Sequence, residues 1–403
     1  MTASTLPPAL EAVLDQLRAP RYRVAASVMA LALARVLYHR RQRHRSRLQL
    51  HRAVTRHLTE SADHAVAVAV AGARENQSEG VTNPVEEWHE VAADGAQTQS
   101  LVYYPVRQAE EEQDVLVLVL PGNPGVPHFL VPLMRELAAG CDRRFEVRCF
   151  SQTGHVMPWK NGGRVFSLQE QVQHKLHYVG ARLRENPALR IVLVGHSIGT
   201  YLALQIAAAF PDAIERLVLM QPTISNMRDT PKGRSLNPLF AFRNQATGLI
   251  KAVEYVTPMA LRRWIVRRAV GDDTETVLQL AAMLLVDATV MKNVFYMALR
   301  ELEEVLDLDD SLIRPHEAKT LFIYSPIDGW VPSELVQDYQ LRFPLARHRV
   351  VPQGHAFMME PNGSRDMAAH IAPWLDGVGD REPADFTDVD RAKATVDESA
   401  TAA

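Results

Sequence analysis

Ser197 stands in Gly195-His196-Ser197-Ile198-Gly199, directly after the apolar run Ile191-Val192-Leu193-Val194 and directly before an alanine- and leucine-rich stretch, Ile198 to Phe210. A G-x-S-x-G pentapeptide between a strand and a helix puts the serine on a sharp turn, with its hydroxyl thrust out of the carboxyl edge of a sheet. A serine hydroxyl is a poor nucleophile at neutral pH; it needs a base to take its proton and an acid to orient that base. Two later segments supply both. Asp328 lies in Ser325-Pro326-Ile327-Asp328-Gly329-Trp330-Val331-Pro332, just past the apolar run Leu321 to Tyr324. Glu334 and Asp338 are rivals, but both fall in the helical pattern that follows and should point away. His355 sits in Gln353-Gly354-His355-Ala356-Phe357, after the last strand-like run. The chain order Ser, Asp, His is the order expected when this elbow serves acyl transfer.

Acyl transfer also needs preorganised donors for the oxyanion. One should be the backbone N–H of Ile198, where the helix after the nucleophile begins. The second should come from Pro121-Gly122-Asn123-Pro124-Gly125, the loop after Val115 to Leu120. The N–H of Asn123 is the choice there, because Pro124 has none. His155, His196 and Trp330 are candidates for the wall of a substrate pocket, although His155 could equally serve as a supporting or surface histidine. No G-x-G-x-x-G, Walker loop or cluster with metal-ligand spacing occurs, so neither a metal nor any other cofactor is called for.

These residues need a scaffold that delivers them to one edge. Val115–Leu120, Phe145–Phe150, Ile191–Val194, Leu217–Met220, Leu321–Tyr324 and His348–Val351 read as short apolar strands. Helical patterns lie between them, including Leu168 to Glu185. Strands without apolar/polar alternation, separated by helices, predict an α/β fold whose mostly parallel sheet is covered on both faces. Glu86 to Val91 and Leu101 to Val106 predict a strand pair joined by a loop containing Asp94-Gly95. Residues 224–315 contain no convincing strand and predict a helical insertion between two strands. In a hydrolase of this kind the insertion forms a cap over the serine.

PGNPG after one strand, Ser151-Gln152-Thr153-Gly154-His155 after the next, GHSIG, Asp328-Gly-Trp-Val-Pro and Gly354-His-Ala-Phe together resemble the lipid droplet-associated serine hydrolases, a branch of the α/β-hydrolase superfamily. The resemblance spans about residues 110–375. It implies Ser197 as nucleophile, Asp328 as acid and His355 as base, in agreement with the reading from the residues themselves. It further implies a sterol ester or another lipid ester as substrate, with the protein on lipid droplets or the cytosolic face of the endoplasmic reticulum. An acyltransferase using the same site, or a droplet-binding protein with little catalysis, are the alternatives.

Composition sets the outer limits. The 403 residues are 47% hydrophobic and 23% charged, with two cysteines and a net charge of -3. This excludes a collagen-like, wholly disordered or disulfide-stapled chain and argues against a nucleic-acid partner. The near-zero sum hides a separation of charge. Gln16 to Thr59 holds eleven arginines and no acid, around an apolar segment, Val24 to Ala34. As a helix that segment reaches only ~16 Å, too short to cross a bilayer core. It suits an interfacial helix on an anionic membrane, an organelle-targeting sequence or a solvated helix. Asp376 to Ala403 carries eight acids and reads as a disordered tail. The domains expected are an Arg-rich extension over 1–85, a hydrolase domain over 86–375 and the tail over 376–403.

Within the cap region, Leu249 to Val270 brackets Trp264-Ile265-Val266 with Arg262, Arg263, Arg267 and Arg268, while Val277 to Val286 is free of charge. Met259, Met283, Met291 and Met297 add adaptable apolar surface. Arginine beside tryptophan suits the head-group level of a lipid surface; packing of the cap on the core is the plainer use of the same residues.

Overall fold

The computed structural model describes residues 84–92, 95–105, 115–140, 145–157, 160–271, 274–376 and 378. The expectations for the Arg-rich extension and for nearly all of the acidic tail lie outside these residues.

Eight strands form one sheet: β1 (Val85–Glu90), β2 (Gln97–Tyr103), β3 (Val115–Leu120), β4 (Glu146–Phe150), β5 (Arg190–His196), β6 (Ile214–Met220), β7 (Thr320–Tyr324) and β8 (Arg347–Val350). Their spatial order is β1-β2-β4-β3-β5-β6-β7-β8. The β1–β2 and β2–β4 pairs are antiparallel and the remaining pairs are parallel. Every residue of β3 is buried. Successive strand side chains point to opposite faces, so a fully buried strand requires cover on both. Its neighbour β5 is buried over its last six residues for the same reason.

The cover comes from helices between the strands. The first three are α1 (Val131–Gly140), α2 (Leu168–Glu185) and α3 (Ile198–Ala209). A capping box closes the start of α2, where Ser167 Oγ accepts from the Glu170 N–H and the Glu170 carboxylate accepts from the Ser167 N–H. Later in the chain, α9 (Ser333–Arg342) and α10 (Gly363–Leu375) complete the layers, with α10 packed on α1. Glu334 and Asp338 fall in α9, as expected.

Between β6 and β7 the chain leaves the sheet for five helices: α4 (Pro231–Ala241), α5 (Arg243–Val256), α6 (Met259–Val270), α7 (Thr276–Leu284) and α8 (Ala288–Glu304). This is the helical insertion predicted for 224–315. Its core is α8 packed on α4 and α5, with α7 packed against the short helical turn Pro127–Leu130. Met283 and Met297 are buried here and pack the cap itself. Among the described residues no single helix is long and apolar enough to cross a membrane. The α7–α8 pair is apolar enough together, but it bends by 80°.

Candidate active site

The elbow forms because the sequence removes side chains where backbones must touch. A Cβ on Gly199 would lie 2.0 Å from the Leu120 carbonyl oxygen, and one on Gly195 would lie 2.6 Å from the Thr200 Cα. A Cβ on Gly122 would meet the Ser197 Cβ at 2.8 Å. Only glycine therefore lets β3, its following loop and the start of α3 converge on the serine. Ser197 itself has φ 54 and ψ −126, a strained conformation for a residue with a side chain. It is held there by Ser197 N–H donating to Met220 O at 3.0 Å and by Thr200 N–H donating to Ser197 O at 2.9 Å.

The strained turn aims Ser197 Oγ at His355 Nε2, 2.9 Å away. His355 Nδ1 lies 2.7 Å from Asp328 Oδ2. The carboxylate can only accept, so it places the proton on Nδ1 and leaves the Nε2 lone pair facing the serine hydroxyl. Asp328 is fully buried at its side chain, and its second oxygen accepts from the Trp330 backbone N–H at 2.8 Å. The Asp-Gly turn after β7 thus presents the carboxylate and caps it within three residues, Asp328 to Trp330. Ser197, Asp328 and His355, predicted from three separate segments, form one hydrogen-bonded line.

The other predicted residues divide. His196 lines a cavity of about 180 Å³ beside His355, together with Pro121, Gly122, Asn123, Phe129, Leu130, Leu285, Met358 and Met359. Burial pushes its imidazole down to about 3, so it is neutral, and it donates from Nε2 to the His355 carbonyl at 2.9 Å. His155 is not on that wall. It is fully buried behind the loop, where Nδ1 donates to Pro124 O at 2.6 Å, and burial lowers it to about 4. Trp330 also lies off the cavity wall, its ring 6.4 Å from that of His355. Ile198 opens α3, where first-turn N–H groups have no acceptor within their own helix.

Asn123, expected to offer its backbone N–H, also engages the cap through its side chain. Its side-chain Nδ2 donates to Val294 O at 3.0 Å and to Glu301 Oε1 at 2.9 Å, both on α8 of the cap. Glu301 is buried, which pushes its carboxyl up to about 8. The cap and the loop over the serine are therefore joined through one amide.

Several supporting residues escaped the sequence reading. Gln152 donates from Nε2 to Pro121 O and from its backbone N–H to Gly125 O, each at 2.9 Å. Lys175, fully buried on α2, donates to Ser151 O at 2.8 Å and to Gln152 Oε1 at 3.2 Å, with burial lowering its amine to about 7. Gln152 and His155 together clamp three carbonyls of the Pro121–Gly125 loop, and Lys175 braces Gln152 from behind. The Ser151–His155 motif thus works as a strap behind the loop. A lone lysine in line with Gln171, Val172, Tyr178 and Val179 on the buried face of α2 was the signal for Lys175. Gln221, at φ 48, secures the other side: its Nε2 donates to Gly354 O at 2.6 Å, next to His355.

The chain is similar to known proteins. Residues 113–358 match the family model described as lipid-droplet associated hydrolase. The chain is 29% identical over 312 residues to the lipid droplet-associated hydrolase of Homo sapiens, covering 70% of this chain and 92% of that one. It is 27% identical over 304 residues to the Gallus gallus protein of the same name, with the same coverages. Among solved structures it is similar to a bacterial membrane phospholipase A at a TM-score of 0.54 and 16% identity, covering 90% of this chain and all of that one. A thermophilic esterase from Thermogutta terrifontis aligns over 74% of this chain and 100% of its own, with 19% identity and a TM-score of 0.47. The relay at the sheet edge, the strand order and the matched span together make this chain a member of the lipid-droplet associated hydrolase family, built on the α/β-hydrolase fold.

Proposed function

We propose that this protein is a serine hydrolase that cleaves lipid esters, of sterols or other alcohols, through an acyl-enzyme at a lipid–water interface. The Ser197–His355–Asp328 line beside an apolar cavity carries the reading. His355 Nε2 takes the proton of Ser197 Oγ as the oxygen attacks the ester carbonyl. Asp328 stabilises the resulting imidazolium through Nδ1–H. The backbone N–H groups of Asn123 and Ile198 receive the oxyanion. His355 then gives its proton to the leaving alcohol, and the C–O bond to that alcohol breaks. Water, deprotonated by the same His355, attacks the acyl-serine and releases the acid. Leu130, Leu285, Met358 and Met359 offer the cavity wall an acyl chain would meet, and none of them carries charge. His196 remains neutral and positions His355 through its carbonyl.

A fluorophosphonate probe tests the nucleophile. Wild type should label and Ser197→Ala should not, with ester turnover falling by about 10⁴-fold or more. A wild type that fails to label would overturn the enzyme reading in favour of a non-catalytic droplet protein. Product formation that requires an added alcohol acceptor would replace hydrolysis by acyl transfer at the same serine.

A further inference from the structure

The cap carries two apolar stretches with opposite fates. Along α7 the residues Val277, Leu278, Leu280, Ala281, Met283 and Leu284 are all buried. Along α5 and α6 the apolar residues are left outside. Glu254 is the one buried residue of α5, and Val266 the one of α6. Leu249 is 67% exposed, Val256 74% and Trp264 61%, with Val253, Leu261 and Ile265 about half exposed. Leu249, Val253 and Val256 recur at helical spacing, as do Leu261, Trp264 and Ile265. Each set therefore forms a stripe, and the two stripes follow one another across the corner at 257–258. The corner is built: Arg262 on α6 donates to Thr257 O at 3.0 Å and to Glu254 O, fixing α6 against the end of α5.

Charge on this unit is one-sided. Residues 231–271 contain Lys232, Arg234, Arg243, Lys251, Arg262, Arg263, Arg267 and Arg268 against the single acid Glu254. Arg263, Arg267 and Arg268 are exposed and line a shallow depression with Trp264 and Ala260. An apolar stripe with a tryptophan and a rim of arginines has one natural complement: a lipid surface, with acyl chains for the stripe and anionic head groups for the rim.

We propose that the α5–α6 face of the cap is the surface by which this protein docks on an anionic phospholipid layer. A second copy is a poor occupant, because a two-fold pair would set this basic face against itself. The Arg-rich extension would bring like charge as well. The acidic tail has the right charge, but its large apolar residues beyond position 378 are only Phe386, Val389 and Val396. The docking reading rests on a lipid-ester substrate, and it gives that substrate a route. Helix α6 packs on α7, and Leu285, immediately after α7, lines the cavity beside His355.

The test uses the full chain and flotation with vesicles of phosphatidylcholine, or of phosphatidylcholine with phosphatidylserine. Wild type should float with the anionic vesicles. Val256→Ser/Trp264→Ser/Ile265→Ser should partition about tenfold less. Arg263→Gln/Arg267→Gln should lose the preference for phosphatidylserine and its salt sensitivity. Both variants should turn over a water-soluble short-chain ester at the wild-type rate, which shows that fold and site are intact. The Trp264 emission should shift to the blue on adding anionic vesicles, as the difference between wild type and Trp264→Phe. Unchanged flotation of the triple variant would overturn the proposal. So would loss of flotation on replacing Arg40, Arg41, Arg43, Arg45 and Arg47 by glutamine with the cap intact. If wild type floats only after residues 379–403 are removed, the tail occupies this face and the proposal falls. Absent fluorophosphonate labelling alongside cap-dependent flotation would remove the hydrolase reading and leave the docking face standing.

Discussion

The sheet edge beneath the serine and the outer face of the cap are built on opposite rules. At the edge, backbone and side chains meet closely. Gly199 leaves no room for a methyl beside Leu120 O, Ser197 is pinned in a strained turn, and Gln152 and His155 hold carbonyls of the loop above it, with Lys175 bracing Gln152. On α5 and α6 large side chains project outward with one buried residue per helix. The edge must hold reacting atoms to within a fraction of an ångström, whereas a lipid surface is fluid and asks only for a stripe and a charge. Precision is bought in the first region by close packing, and the second leaves its apolar area for a partner to cover.

Substitutions at the two regions should therefore behave differently. The largest effect is expected at Gly199→Ala. Its methyl would meet backbone, which cannot yield, and the cost should reach about 3 kcal/mol or more in urea unfolding. A variant within about 1 kcal/mol of wild type would show that the elbow is looser than its contacts imply. Asn123→Ala comes next. It keeps the backbone N–H but cuts the loop from α8, so kcat on a soluble ester should fall by between about tenfold and a hundredfold. A change in KM alone would limit the link to substrate binding.

Glu301 gives a pH test of the same link. The buried carboxyl titrates at about 8 in the fold against 4.5 when free. Below 4.5 it is protonated in both states. Between 4.5 and about 8 the unfolded chain gives up the proton and the folded one keeps it, so stability falls as pH rises through that window. Glu301→Gln keeps an acceptor for Asn123 and should flatten this slope in thermal melts, with a gain at pH 8. An unaltered slope would mean that the carboxyl is already ionised in the fold. The smallest effect is expected on the cap: Trp264→Ser should change stability by no more than about 0.5 kcal/mol, read from the same melts. A larger loss would show that the indole packs on protein and would erase the contrast.

How far the sequence could be read differs by region. VLVLVL, IVLV and the intervening helical patterns predicted the parallel sheet, because a strand buried on both faces must be apolar throughout. The strand pair at β1 and β2 was also legible, although β2 begins at Gln97 rather than at Leu101; its polar first half is buried by hydrogen bonds such as Thr98 Oγ1 with Ser151 Oγ. His155 was weighed as a pocket residue because it follows a strand at the catalytic edge. Its ring instead turns back under the loop to satisfy Pro124 O. Lys175 and Glu301 were not seen at all, since a charged residue on a helix ordinarily faces water; the alignment of Lys175 with the apolar residues of α2 was the signal passed over.

Local sequence alone determined the elbow, the chain order of Ser197, Asp328 and His355, and the helical character of the insertion, because each depends on residues adjacent in the chain or on simple periodicity. The tertiary structure decided which apolar helix of the cap is buried, where His155 points and how Asn123 joins the cap to the site. Those outcomes depend on which surfaces, 31 residues apart for His155 and Pro124 and 178 for Asn123 and Glu301, meet and exclude water. Val277–Leu284 is free of charge and Leu249–Ile265 is interrupted by Lys251, Glu254, Arg262 and Arg263, yet both carry apolar residues at helical spacing; packing buried those of the first and left those of the second facing out.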